Sequence, residues 1–307
     1  VALYFFNLAV VRADSDAREH PTTKGMMKYW DPYMPTINAN EAWFYAAAPE
    51  QVSITSYDGL RLCGMYLKNP GSDKTVLFAH GYRSKGATFD FGLEIRACFD
   101  KGFNIFVIDQ RAHGKSEGKY ICFGVKERCD ARDWINYINK TYAPRTLFLY
   151  GLSMGCSTVL MASGFTLPGN VRGIIADCGF TSARAQFSYL LKRNYHLPLF
   201  PLLQITNLIS KARADFDFMS YSTLDALKTN RIPVLFMHGD KDTFVPTRMG
   251  KENYEACMAE KEIVIVEGAR HRLAYKFDTV KCDAALSAFL EKYTQDDSAV
   301  AGFAAQN

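Results

Sequence analysis

Short apolar runs alternate with longer segments of mixed polarity through most of the chain. Six runs are nearly continuous in apolar character: Thr75–Ala79, Asn104–Ile108, Thr146–Tyr150, Val171–Ala176, Pro233–Met237 and Glu262–Val266. A strand apolar at successive positions is covered on both faces, as in a parallel sheet packed between helices. The intervening segments Phe89–Lys101, Val125–Thr141, Met154–Phe165, Thr247–Ala259 and Leu273–Tyr293 carry helical patterning. Upstream, Gln51–Ser56 and Arg61–Leu67 flank Tyr57-Asp58-Gly59, a hairpin signal that predicts antiparallel strands at one edge. Together these elements predict an α/β architecture with a mostly parallel eight-stranded sheet flanked by helices.

Two regions break the rhythm. More than fifty residues separate Ala176 from Pro233, far more than a crossover requires. They include Ala183–Tyr195 and then a helical pattern from Leu202 to Ala214, which predicts a small helical cap over about 180–230. The competing reading is additional packing on the sheet. Residues 1–50 read as an irregular lead-in with a short helix near Asn40–Ala47, 51–293 as the main domain, and 294–307 as a tail. The first eleven residues, VALYFFNLAVV, are apolar but too few to cross a bilayer, which takes about 20. They read either as the tail of a membrane anchor or signal segment, or as an amphipathic helix packed on the domain. The expected location is accordingly cytoplasmic or membrane-associated through the N-terminus.

Composition narrows the function. A hydrophobic fraction of 48% with 22% charged residues fits a folded globular chain. The net charge of +4 is small and the basic residues are mixed with acids, which argues against a nucleic-acid partner. The 8 cysteines show no C-x-x-C spacing, so they read as reduced, mostly buried side chains.

The candidate chemistry sits where apolar runs end. Gly151-Leu152-Ser153-Met154-Gly155 follows one strand and opens a helix, the setting in which a serine on a tight turn becomes a nucleophile. A serine hydroxyl needs a base, and the base an orienting acid. His271, in Gly268-Ala269-Arg270-His271 after the last strand, is the candidate base. The loop His238-Gly239-Asp240-Lys241-Asp242 offers two acids. Asp242 lies further into the loop and is favoured, with Asp240 assigned to capping the turn. Candidate oxyanion donors are the backbone amides of Met154 and of Tyr82, in the turn His80-Gly81-Tyr82. Asp109–Ser116 reads as a hydrogen-bonded structural loop. No metal site or cofactor is expected, because His238 and its aspartates lack further ligands.

These motifs, GLSMG at 151–155, HGY at 80–82, DQRAHGKS at 109–116, HGDKDTFVP at 238–246 and GARH at 268–271, resemble the α/β-hydrolase superfamily over roughly residues 50–293. The segments at 175–182 and 193–203 resemble a bacterial branch of uncharacterised, often N-terminally anchored hydrolases grouped with prolyl-oligopeptidase-like peptidases. The resemblance implies a Ser153–His271–Asp242 triad, oxyanion amides from Tyr82 and Met154, and no cofactor. It leaves the substrate open. The reading that leads is a carboxylesterase for small or medium acyl esters. Rivals are a lysophospholipase or monoacylglycerol lipase, a peptidase or amidase, and a hydrolase fold used only for binding. The expected partner is a small acyl ester or lipid, with membrane contact through the N-terminus; the oligomeric state is open.

Overall fold

The computed structural model describes residues 1–12 and 25–295. Eight strands build one sheet: β1 (Glu50–Thr55), β2 (Arg61–Leu67), β3 (Lys74–Ala79), β4 (Asn104–Ile108), β5 (Thr146–Leu152), β6 (Val171–Asp177), β7 (Val234–Gly239) and β8 (Lys261–Val266). Their spatial order is β1-β2-β4-β3-β5-β6-β7-β8. The hairpin strands pair antiparallel, β1 with β2 and β2 with β4; all other neighbours are parallel. The order reverses between β3 and β5, and such a switch point leaves a crevice at the carboxyl ends of the strands.

Helices follow in chain order as α1 (Ala2–Val10), α2 (Met34–Ala46), α3 (Ala87–Asp90), α4 (Glu94–Asp100), α5 (Glu127–Tyr142) and α6 (Met154–Ala162). After β6 come α7 (Ala183–Leu190), α8 (Leu202–Ala214) and α9 (Thr223–Leu227), then α10 (Thr247–Ala256), α11 (Ala274–Phe277) and α12 (Thr279–Gln295). A single π-helical turn, Leu191–Tyr195, extends α7.

The period of two in the strands divides the core. On β3, Val76 and Phe78 join one cluster with Ile95 of α4 and Phe289 of α12, while Leu77 and Ala79 join another with Trp134 of α5 and Leu160 of α6. Phe148 and Tyr150 of β5 face the first cluster, Leu147 and Leu149 the second. The central strands β3 to β7 are therefore buried on both sides, which accounts for their unbroken apolar runs.

A third cluster lies off the sheet, over the carboxyl ends of the strands. It joins Phe6 and Val10 of α1 to Leu191, Leu202 and Leu203 of the β6–β7 insertion and to Met154 and Tyr82. α7 and α8 form the cap, whereas Leu227 of α9 packs into the core beneath the sheet face. Residues 1–11 thus do more than lead into the domain: α1 packs on α8, and Val11 bridges to Tyr120. Among the described residues, no helix is long and apolar enough to cross a membrane.

Candidate active site

Ser153 caps the carboxyl end of β5 with φ 56° and ψ −113°, a backbone conformation rare outside glycine. Its neighbours make that turn feasible. A Cβ on Gly155 would collide with the Ala79 carbonyl, and one on Gly151 with the backbone of Gly155. Strand and helix can close beneath the serine only because both positions lack side chains. The Ser153 amide donates to the Asp177 carbonyl at 2.8 Å, fixing the turn to β6.

The structure brings Ser153, His271 and Asp242 together from three strand ends. Ser153 Oγ lies 2.9 Å from His271 Nε2, and His271 Nδ1 lies 2.6 Å from Asp242 Oδ2. All three side chains are buried. Asp242 Oδ1 accepts from the amides of Phe244 at 2.9 Å and Val245 at 2.8 Å. His238 Nε2 lies 3.3 Å from Asp242 Oδ2 and 3.0 Å from the Val245 carbonyl. Burial alone would raise the Asp242 pKa, but His271 and His238 outweigh it and hold the carboxyl well below the usual range. Asp240 has another role. It accepts from the Gly268 amide at 2.6 Å and ties the acid loop to the histidine loop.

The turn after β3 lies beside the serine: a Cβ built on Gly81 would be 3.5 Å from the Ser153 Cβ. This sets Tyr82 at the crevice. Met154 opens α6, so its amide has no partner within the helix. Asp90 steadies the turn by accepting from the Gly81 amide at 2.7 Å, and it ion-pairs with Arg272, the residue after His271. Asp90, Arg272 and Arg83 escaped the sequence reading, since no local motif signals a partner this distant.

The loop Asp109–Ser116 is internally committed. Arg111 is buried between Asp130, with contacts of 2.6 Å, and Asp58, at 2.8 and 3.0 Å. His113 Nε2 accepts from the Arg83 amide at 3.0 Å, and burial depresses its pKa. The His80 ring accepts at Nε2 from the Gln110 amide, and burial depresses it likewise.

A metal could find ligands at Cys178, Asp242 and His271, whose ligand atoms all lie within 4.8 Å. The chemistry of the set argues otherwise. Asp242 and His271 already engage each other, and burial pushes the Cys178 thiol well above its usual pKa. Cys178 is also absent from the wall of the cavity, where Ser153 is present.

That cavity is narrow, about 70 Å³, and almost wholly apolar. α1 contributes Phe5 and Leu8, α7 contributes Phe187 and Leu190, and α8 contributes Leu203. Phe5 packs edge-on against Tyr195 with ring centroids 4.8 Å apart, closing α1 onto the cap.

Residues 74–194 match the family described as the alpha/beta hydrolase fold. The chain has the α/β-hydrolase fold. It is 29% identical over 224 residues to the uncharacterized Bacillus subtilis protein YqkD, covering 72% of each chain. Among solved structures, this α/β-hydrolase fold is similar to a Pyrococcus furiosus esterase, with TM-score 0.65 and 24% identity over 80% of this chain and 92% of that one. It is also similar to Est1E of Butyrivibrio proteoclasticus, solved with ferulic acid, with TM-score 0.64 and 17% identity over 80% of this chain and all of that one, 100%.

Proposed function

We propose that the protein is a serine hydrolase that cleaves small or medium acyl esters through a covalent acyl-enzyme. One observation carries this reading: the relay from Ser153 through His271 to Asp242 opens directly on an apolar cavity. His271 accepts the Ser153 proton as the hydroxyl oxygen attacks the ester carbonyl. Asp242 holds Nδ1 protonated and stabilises the imidazolium that forms. The amides of Met154 and Tyr82 serve the oxyanion. Protonated His271 then donates to the leaving alcohol, and water attacks the acyl-enzyme with His271 again as base. No lysine or arginine lines the described cavity, which favours an uncharged acyl group. The Pyrococcus furiosus esterase of this fold is consistent with the reading.

A lipid acyl ester is the second reading. Leu3 and Tyr4 on α1, and Phe200, Ile205 and Leu208 on or beside α8, are large apolar residues left exposed on or beside two of the helices that wall the cavity. An outward apolar face there suits contact with a lipid surface through α1. Among the described residues, no feature of the site favours a peptide substrate or the prolyl-oligopeptidase-like branch.

The test is labelling with a fluorophosphonate, followed by turnover of nitrophenyl esters, soluble and emulsified monoacylglycerols, and aminoacyl amides. Labelling that disappears in Ser153→Ala, with turnover of short esters, is expected. A folded wild type that neither labels nor turns over any ester sinks the reading and favours a binding role. A sharp rise in rate on emulsified substrate would select the lipid reading.

A further inference from the structure

Gln186 lies on α7, is 2% exposed, and lines the cavity together with Ser153. Its Nε2 donates to the Phe244 carbonyl at 2.7 Å. A carbonyl only accepts, so the amide nitrogen must face Phe244 and the orientation of the side chain is fixed by chemistry. Oε1 is therefore the atom left over, and it has no hydrogen-bond partner. Buried acceptors are nearly always paired, so an orphan on a residue that lines an otherwise apolar cavity calls for a donor from outside the chain.

Resting on the ester-hydrolase reading above, we propose that the cavity selects hydroxylated acyl groups, with the substrate hydroxyl donating to Gln186 Oε1. The rest of the wall decides the donor type. A hydroxyl brings one proton and matches one acceptor. An amide would also bury a carbonyl, and an ammonium would bury three N–H groups and a charge; a single acceptor among phenylalanines and leucines satisfies neither. The nearby Thr206 hydroxyl already donates to the Leu202 carbonyl at 2.8 Å, and Asn194 is exposed. The free enzyme already bears the desolvation of Oε1, so a ligand donor recovers more there than at a wetted surface.

The attachment to Phe244 gives Gln186 a second, structural role. Phe244 follows Asp242 closely, and its ring lies 5.0 Å from that of His271. Loss of the side chain could slow all substrates by loosening the acid loop. A ratio between paired substrates separates the two roles.

The experiment measures kcat/KM for methyl octanoate and for hydroxylated octanoates with the hydroxyl moved stepwise along the chain. Analogues with a methyl group in place of each hydroxyl control for size. Wild type is expected to prefer one hydroxyl position over its methyl counterpart by roughly tenfold, the scale of one well-made buried hydrogen bond. Gln186→Met is expected to bring that ratio to about one, whatever happens to its rate on methyl octanoate. Fluorophosphonate labelling is run in parallel. A labelled wild type that turns over octanoate without preferring any hydroxyl position overturns the inference and leaves the hydrolase reading standing. A preference that survives in Gln186→Met overturns it too. Absence of both labelling and turnover would be failure of the hydrolase reading itself, and the inference falls with it.

Discussion

The Tyr82 hydroxyl donates to the Ala9 carbonyl at 2.9 Å, joining the turn beside Ser153 to the last turn of α1. Arg83 completes the clamp. Its Nε donates to the Tyr82 oxygen at 2.7 Å, and its Nη2 donates to the carbonyls of Leu8 and Val11 at 3.0 and 2.8 Å. A guanidinium at a helix carboxyl end pairs with unsatisfied carbonyls and with the negative end of the helix dipole. Arg83→Ala removes these contacts, worth about 2 kcal/mol or more together. The expected result is faster amide exchange over residues 2–10, with core strands β3 and β5 unchanged, and weaker turnover of longer acyl chains. Unaltered protection of α1 would refute the clamp.

The elements legible in the sequence were those whose signal is local. Ser153, Asp242 and His271 each follow an apolar run that ends in a polar turn, so position relative to a strand end was enough to bring them into consideration. What lay beyond reach depends on distant partners. The continuous helix expected over Phe89–Lys101 is interrupted at Phe91–Leu93, where Gly92 packs so closely on Ile37 of α2 that a Cβ would come within 2.9 Å. α7 loosens into a π turn after Leu190, where Tyr195 meets Phe5 of α1. Tyr82 meets Ala9 across 73 residues and Gln186 meets Phe244 across 58, separations at which no periodicity speaks. For the same reason, residues 1–11 left two readings open, and their role as a cavity wall was unforeseen.

Asp177, at the end of β6, is 1% exposed, and neither carboxylate oxygen has a hydrogen-bond partner. Burial and the nearby Glu94 push its pKa up to about 7. A carboxyl whose pKa is higher folded than unfolded takes up protons on folding between the two values. Wild-type stability therefore declines as pH rises from about 4, the unfolded value, through about 7. Asp177→Asn should remove one share of that decline. Melting temperature measured across this range should fall less steeply in the variant, which should be the more stable protein at pH 8. Parallel curves would show that Asp177 is ionised in the fold.

His238 places a second imidazole against the acid of the relay. Its ring also fills the space a side chain on Gly250 would need. His238→Asn removes a contact to Asp242 Oδ2 while leaving the two amide donors on Oδ1. The Asp242 carboxyl should remain ionised at neutral pH but be less firmly oriented. A fall in kcat of roughly tenfold is expected, with fluorophosphonate labelling slowed but retained. A variant indistinguishable from wild type in kcat would reduce His238 to packing alone.

Asp242→Asn tests the direction of the proton in the relay. The amides of Phe244 and Val245 both donate to Oδ1, so an asparagine must place its oxygen there. Its NH₂ then occupies the place of Oδ2, facing His271 Nδ1. A donor at that position accommodates only the tautomer with Nδ1 bare and Nε2 protonated. Nε2 would then donate toward Ser153 Oγ instead of accepting its proton. The fold should be preserved, since the volume and amide contacts are kept. Ester turnover at neutral pH should fall by roughly 10⁴-fold, the scale seen when a triad histidine is held in the wrong tautomer. The measurement is kcat/KM for a nitrophenyl ester beside the ring-nitrogen NMR shifts of His271. Protonation at Nδ1 in the variant, or activity within tenfold of wild type, would exclude this arrangement of the relay.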